Sequence, residues 1–373
     1  MNAILFISSG GSIGPAAGGG EAKGAPLKIM VRTKIIATLG PSSTSETILR
    51  KMFIEGLDVA RLNFSHGMHE DHLRRINVIR ALNAKMRRAI KIMQDLEGYR
   101  IRVGNFKSKE PKILEKRNTV FITKSSDTGE NRIIPIDYNY DFRKISEGRL
   151  IYIDDGNIIL KVKQNLRNML KAEVIEGGIL KQRKGVNIPG VKIPFSGITP
   201  KDRRDIEFGL SNGMDYVAQS FVRNKKDVVI VRDMVKSKNP RCLIVAKVES
   251  REAIKNIDEI IDASDGIIIA RGDMGIAFPI YEIPVIQKMI IKKCNRSRKF
   301  VVTATQMLEH MTEHLRPTRA EVTDVANSII DGTDFVMLSA ETAAGKYPVE
   351  SVKMMNDIIK YTEAYMRRGQ YDY

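Results

Sequence analysis

Tryptophan is absent from the 373 residues, and no stretch interleaves basic residues closely with exposed aromatic ones. The stacking platforms by which single-strand binders hold bases are therefore missing, and nucleic acid is not expected as a main partner. No apolar run reaches the roughly 20 residues that a bilayer span requires. The first residues, MNAILFISSGGS, lack the basic n-region of a secretory signal. A cytoplasmic protein without membrane attachment is the expectation. Only two cysteines occur, Cys242 and Cys294. They are too few for a disulfide framework and suit a reducing compartment. The glycines of GGSIGPAAGGGEAKGAP are followed by no GK[ST] and preceded by no strand, so they build no phosphate loop. Residues 1–29 read instead as a flexible leader, with Met30 as an alternative start.

Positive charge is what the chain has in excess: a net +17 and a pI near 9.7. It is dispersed, residues 105–186 carrying 17 Lys and Arg against 11 Asp and Glu. Such dispersion fits anionic substrates or a basic proteome as well as it fits nucleic acid. The basic helix RALNAKMRRAIK has an apolar face that predicts packing on the protein core. His310 and His314, four apart in EHMTEH, are too few for a zinc site and read as surface residues.

Short apolar strands recur at 34–38, 59–62, 89–93, 216–220, 243–248, 266–270, 300–303 and 335–338. Helical patterns separate them, at 44–56, 69–84, 200–212, 225–237, 253–263, 283–296, 319–331 and 348–365. Eight such alternations predict an α/β chain folded as a closed (β/α)8 TIM barrel, whose site lies where the strands end. One interval is too long. A βα unit repeats about every 30 residues, yet the third and fourth strands are separated by far more. The surplus, 104–185, holds short alternating stretches with Asp, Asn and Gly turns. It predicts a small antiparallel β-barrel inserted after the third strand, a lid over the mouth of a barrel formed by 30–103 and 186–373.

The stretch LIVAKVESREAIKNIDEIIDASDGIIIARGDMG joins two of these strands through a helix. Lys247 and Glu249 are two apart, so on an extended strand they face the same side. Asp273 stands beyond the end of the next strand. An ammonium and two carboxylates gathered at strand ends suit a divalent metal and a phosphate. A salt bridge at the rim of the sheet is the plainer use.

From about residue 32 to 365 the chain resembles pyruvate kinase. TKIIATLGPSS, LDVARLNFSHG, AKVES, IIIARGDMGI and KGVNIPG carry the resemblance, as does the long run TATQMLEHMTEHLRPTRAEVTDVANSIIDGTDFVMLSAETAAGKYPVE. It implies a glycolytic transferase, a kinase that moves the phosphoryl group of phosphoenolpyruvate to ADP, giving pyruvate and ATP. It implies that Lys247 neutralises the phosphoryl group in flight and that Arg61 clamps it. Glu249 and Asp273 would hold Mg²⁺ or Mn²⁺. The amides of Gly272 and Asp273 would receive the substrate carboxylate, Thr305 would serve proton delivery, and Ser220 and Phe221 would line the mouth. Arg102, His66 and Pro41 fall at the nucleotide, and Asp155 at the lid contact with Arg61. Other uses stay open: Arg61 as a structural partner of Asp95, Thr305 as a helix cap, and Asp154 with Asp155 as a hairpin turn.

The chain departs from the family pattern after the third strand, where Asp95-Leu96-Glu97-Gly98-Tyr99-Arg100-Ile101-Arg102 stands for DTKGPEIR. Asn63, Ser65 and Asp95 match three members of the family's K⁺ site, Leu96 takes the place of the fourth, and Arg100 that of the glutamate tied to K⁺ dependence. A fixed guanidinium there predicts that K⁺ is not required. Glu97 replaces a lysine, Tyr99 a proline, and Ala277 an acid. The C-terminal domain of the family has no counterpart in the sequence. The expected assembly is a homodimer through the barrel, around a surface that includes Arg319, with a monomer as the alternative. Two rival functions remain: an enzyme acting on phosphoenolpyruvate or a pyruvate enolate without ADP, and a non-catalytic basic RNA-binding or regulatory homologue.

Overall fold

The computed structural model describes residues 32–108, 110–124, 132–138, 141–154, 156–191 and 197–368. The expected leader and Asp155 lie outside the described residues.

Eight parallel strands close into a barrel: Lys34–Thr38, Leu57–Asn63, Lys91–Asp95, Tyr216–Gln219, Leu243–Val248, Gly266–Ala270, Phe300–Ala304 and Phe335–Leu338. Each strand pairs with its neighbours in sequence, and the first pairs with the eighth, Lys34 opposite Phe335. Alternation along each strand divides its side chains between two cores. Inside the barrel every strand contributes, through Ile36, Val59, Met93, Ala218, Val245, Ile268, Val302 and Phe335 among others. Outward residues such as Ile244, Ala246 and Val248 pack against the surrounding helices. Near the strand starts, Tyr216, Phe300 and Phe335 meet edge to face. Gly266 makes room for this plug, since a Cβ there would stand 2.3 Å from the Phe300 ring.

The helices begin where their caps dictate. Thr199 caps Pro200–Ser211 in a reciprocal capping box with Asp202, and Thr318 does the same for Arg319–Ile330 with Glu321. Ile76, Ile79 and Leu82 of His69–Met86 are buried, so the basic helix does pack on the barrel. The pattern expected as one helix over 253–263 is two, Arg251–Lys255 and Ile257–Ala263. Asn256 breaks it, with φ −104° and ψ 21° and a side chain that donates to the Arg223 carbonyl at 2.9 Å. The third strand starts two residues later than its apolar pattern, because the Asn83 side chain bonds both the amide and the carbonyl of Ile90.

Between the third and fourth barrel strands lies a second sheet of seven strands, running from Ile101–Arg102 to Gly185–Asn187. A bridge between Val103 and Ile136 brings its two edges together into a barrel-like form. The sheet is not wholly antiparallel as the alternation led one to expect: Thr119–Lys124 and Ile133–Ile136 run parallel. Alternation reports which face is buried and carries nothing about the direction of the neighbouring strand. Pro135, lacking an amide donor, sits in the terminal strand of this order, where proline is tolerated. Among the described residues, twenty-two buried ones, including Tyr138 and Phe142, give this sheet a core separate from those of the main barrel.

Among the described residues no helix is long and apolar enough to cross a membrane. Cys242 and Cys294 are free and buried, and burial pushes both thiols up to about 12.

Candidate active site

Strand period two sets the first element of the site. Val245 faces the barrel interior, so Lys247 does too, and Glu249 follows just beyond the strand end. Lys247 Nζ lies 3.2 Å from Asp95 Oδ1 and 3.1 Å from Glu249 Oε1, and donates to Ser220 Oγ at 2.7 Å. Ser220 in turn donates to the Leu96 carbonyl at 2.6 Å. The ammonium is thus held by the ends of three neighbouring strands. Burial works against its charge, but Asp95 and Glu249 outweigh that and raise its pKa.

Asp95 is 1% exposed and also binds Arg61, whose Nε and Nη2 both reach Oδ2 at 2.7 Å. Burial opposes the carboxylate's charge, while Lys247 and Arg61 together hold its pKa below the usual range. Arg61 Nη1 donates to Thr38 Oγ1 at 2.7 Å, and Thr38 donates to the Leu338 carbonyl at 2.9 Å. Thr38 was not legible as a site residue: only its place at the end of the first strand pointed to it. The structural pairing of Arg61 with Asp95 is therefore real, and it fixes the guanidinium at the mouth.

Glu249 Oε2 accepts the Phe221 amide at 2.7 Å, with Phe221 in the left-handed region at φ 56°. Burial pushes Glu249 up to about 7, with Lys247 opposing and Asp273 adding to the rise. Oε1 takes no hydrogen bond of acceptable angle despite the nearby ammonium. A buried carboxylate oxygen left with a charge contact alone, beside a second carboxylate, fits a divalent cation. Among the described residues no three His, Cys, Asp or Glu converge. The chain thus offers two carboxylates, and a metal held here needs its other ligands from substrate and water. Asp273 stands in the first turn of Arg271–Ala277. Its Oδ1 is 3.8 Å from Arg100 Nη2, so Arg100 sits against this carboxylate. Glu249, Asp273, Arg100 and Phe221 share the wall of a cavity of about 520 Å³ between the inserted sheet and the barrel.

Thr305 follows the seventh strand at φ 69°, and Gln306 is left-handed too, at 52°. Non-glycine residues in this region carry strain and occur where the surroundings enforce it. Here Arg271 enforces it, donating to the carbonyls of Ala304, Thr305 and Gln306 and pairing with Asp324 at 2.6 Å. Thr305 caps no helix of its own. Its Oγ1 accepts the Gly272 amide at 2.8 Å and donates to the Ala304 carbonyl at 2.6 Å. The Gly272 amide, expected at a substrate carboxylate, is engaged by that hydroxyl.

Of the candidate nucleotide residues, Arg102 lies in the first strand of the inserted sheet, while His66 and Pro41 follow the second and first barrel strands. Arg102 binds Glu97, and Glu97 faces Lys201. His66 is exposed, its carbonyl accepting from His72 Nε2 at 3.0 Å. Pro41, itself exposed, opens a 3-10 turn after the first strand that ends on the buried Ser43. Asn63 Oδ1 accepts the Ser65 amide at 3.0 Å, a local turn. Asp154 pairs with Lys184 at 2.7 Å. His310 and His314 stack at 3.9 Å.

A family model described as the pyruvate kinase barrel domain matches residues 30–352. A pyruvate kinase of Thermococcus litoralis is 46% identical over 334 residues, 90% of this chain and 70% of the relative. One of Clostridium perfringens is 45% identical over 336 residues, 90% of this chain and 71% of the relative. One of Geobacillus stearothermophilus is 46% identical, covering 89% of this chain but 57% of its own longer length. A barrel with this mouth, matched over nine-tenths of its length at such identity, belongs to the pyruvate kinase family.

Proposed function

We propose that this chain transfers the phosphoryl group of phosphoenolpyruvate to ADP, yielding ATP and, after protonation of the enolate, pyruvate. The observation that carries the reading is the Lys247 ammonium fixed 3.1 Å from Glu249 and 3.2 Å from Asp95 at the mouth of the barrel. A cation already bound on three sides needs no rearrangement when charge spreads over the equatorial oxygens of the moving phosphoryl group. Arg61, anchored on Asp95 and Thr38, clamps the same group from the second strand. Glu249 and Asp273 would hold Mg²⁺ or Mn²⁺, which supplies Lewis-acid neutralisation of phosphoryl and enolate oxygens when bound. The P–O bond to the enolate breaks as the ADP β-phosphate oxygen forms a new one. The enolate carbon then takes a proton delivered by the Thr305 hydroxyl through water. The amides of Gly272 and Asp273 orient the substrate carboxylate once Thr305 yields the first of them.

Arg102, His66 and Pro41 bind the nucleotide in this reading, and residues 104–185 act as the lid. Arg100 supplies a fixed charge in place of the glutamate that the family resemblance ties to K⁺ dependence, so Asn63, Ser65 and Asp95 need hold no K⁺. Operation in cytoplasmic glycolysis, and a homodimer joined through the barrel face that includes Arg319, complete the proposal. A lactate-dehydrogenase-coupled assay with phosphoenolpyruvate, ADP and Mg²⁺ tests it. Turnover that stops when ADP is omitted is the expected result. Turnover without ADP, or none with it, rejects the assignment.

A further inference from the structure

We infer that Glu97 is a positioning residue: it orients the Arg102 guanidinium for a phosphate of the bound nucleoside diphosphate. This rests on the phosphotransferase reading above and assigns a role to a residue outside it.

Glu97 follows the third barrel strand, while Arg102 belongs to the first strand of the inserted sheet. Their side chains are 18% and 13% exposed, so the pair is largely screened from water. Arg102 Nε and Nη2 both donate to Glu97 Oε1, at 3.0 and 2.7 Å. Nη1 donates to the Arg183 carbonyl at 3.1 Å. The backbone of Arg102 is fixed as well, its amide bonding the Asp137 carboxylate and its carbonyl accepting the Asp137 amide at 2.9 Å.

Glu97 is not loose. Its Oε2 lies 3.5 Å from Lys201 Nζ, and Lys201 is anchored on the Phe64 carbonyl at 2.6 Å and on Asp205 at 2.7 Å. A continuous line of charge-assisted contacts thus runs from the barrel helix Pro200–Ser211 to the guanidinium at the base of the inserted sheet. A guanidinium has five N–H donors. Among the described residues three of Arg102's are used. Two remain for a ligand, and paired donors on a planar cation match phosphate.

The opposite role for Glu97 would be to compete with the nucleotide for Arg102. Two features favour positioning. Glu97 uses a single oxygen against the Nε edge, and Lys201 compensates part of the charge on the other. Exchanging the carboxylate for an amide removes the charge that holds the guanidinium, yet leaves an oxygen able to accept from the same Nε edge.

Glu97→Gln keeps the size and removes the charge. By calorimetry in Mg²⁺, its Kd for ADP rises about tenfold, the worth of a charge-assisted bond, and KM for ADP follows. KM for phosphoenolpyruvate and kcat change less than about twofold, a split that general destabilisation would not produce. In an Arg102→Met background the same substitution adds nothing. Glu97→Asp, which keeps the charge on a shorter arm, gives a smaller rise and serves if the glutamine variant does not fold. ADP affinity that is unchanged or tighter in an active Glu97→Gln enzyme overturns the inference and leaves the phosphotransferase reading intact. A wild-type chain that neither binds ADP nor turns over overturns both.

Discussion

Thr305 Oγ1 accepts a 2.8 Å hydrogen bond from the Gly272 amide, tying the end of the seventh strand to the helix after the sixth. The hydroxyl occupies a donor otherwise unpaired in the first turn of that helix. In the proposed reading it is thereby held where a proton reaches the enolate.

Thr305→Ser keeps the oxygen and is expected to retain turnover within about tenfold. Thr305→Ala loses both the amide's partner and the proton route. Its kcat is expected to fall about 10²-fold, the lower range for a positioned acid. Steady-state kinetics of the two variants check this. Equal loss in both would assign the role to the methyl group or the backbone.

Lys247 compensates two buried carboxylates, so its removal has two consequences. Lys247→Met is expected to lower kcat by about 10²–10³-fold, as for loss of a preorganised electrostatic partner. It also leaves the buried Glu249 without its cation, while Asp95 keeps Arg61, at a cost of about 3–5 kcal/mol. A drop in kcat with an unchanged urea midpoint would mean that Glu249 does not depend on the lysine for its burial.

Much of this arrangement was legible because two periodicities suffice for it. Apolar runs alternating with helical ones define a (β/α)8 barrel, and period two sends Lys247 and Glu249 to one side. Contacts between elements were not legible. Lys201 meets Glu97 only because the fourth strand's preceding helix passes the loop after the third. Thr38 becomes the second anchor of Arg61 only when the first two strands pair. The strain at Phe221, Thr305 and Gln306 has no sequence signature, since none of these is a glycine. Arg271 directly follows the sixth strand, but its grip on three carbonyls depends on where the seventh strand stops.

Arg100 Nη2 lies 3.8 Å from Asp273 Oδ1, with both side chains about a quarter exposed. In the proposed reading this guanidinium stands in for a mobile cation. Turnover is expected to stay within about twofold when KCl replaces tetramethylammonium chloride at matched ionic strength. Arg100→Met is expected to lose about tenfold in kcat/KM for phosphoenolpyruvate, about the worth of a charge-assisted contact. Strong stimulation of the wild type by KCl would show that the guanidinium does not replace the ion.

His72 gives the fold a pH dependence separate from catalysis. It is 1% exposed and stacks on Phe64 at 4.0 Å. Its Nε2–H donates to the His66 carbonyl at 3.0 Å, while Nδ1 faces Arg75 Nη1 at 3.5 Å, a pattern that suits the neutral ring. Burial first, then the charge of Arg75, lowers its pKa to about 4. The unfolded chain protonates near 6.5. The folded pKa lies below the unfolded one, so stability from this group is complete above about 6.5 and is lost as pH falls toward 4. Between pH 7.5 and 5 the wild type is expected to lose about 2 kcal/mol through His72. His72→Gln, which cannot titrate, is expected to be less stable at pH 7.5 but to lose correspondingly less over the same interval. Urea midpoints at both pH values measure it. Parallel pH dependences for the two proteins would mean that the ring is accessible to protons in the folded state and that His66 is not carried by a neutral imidazole.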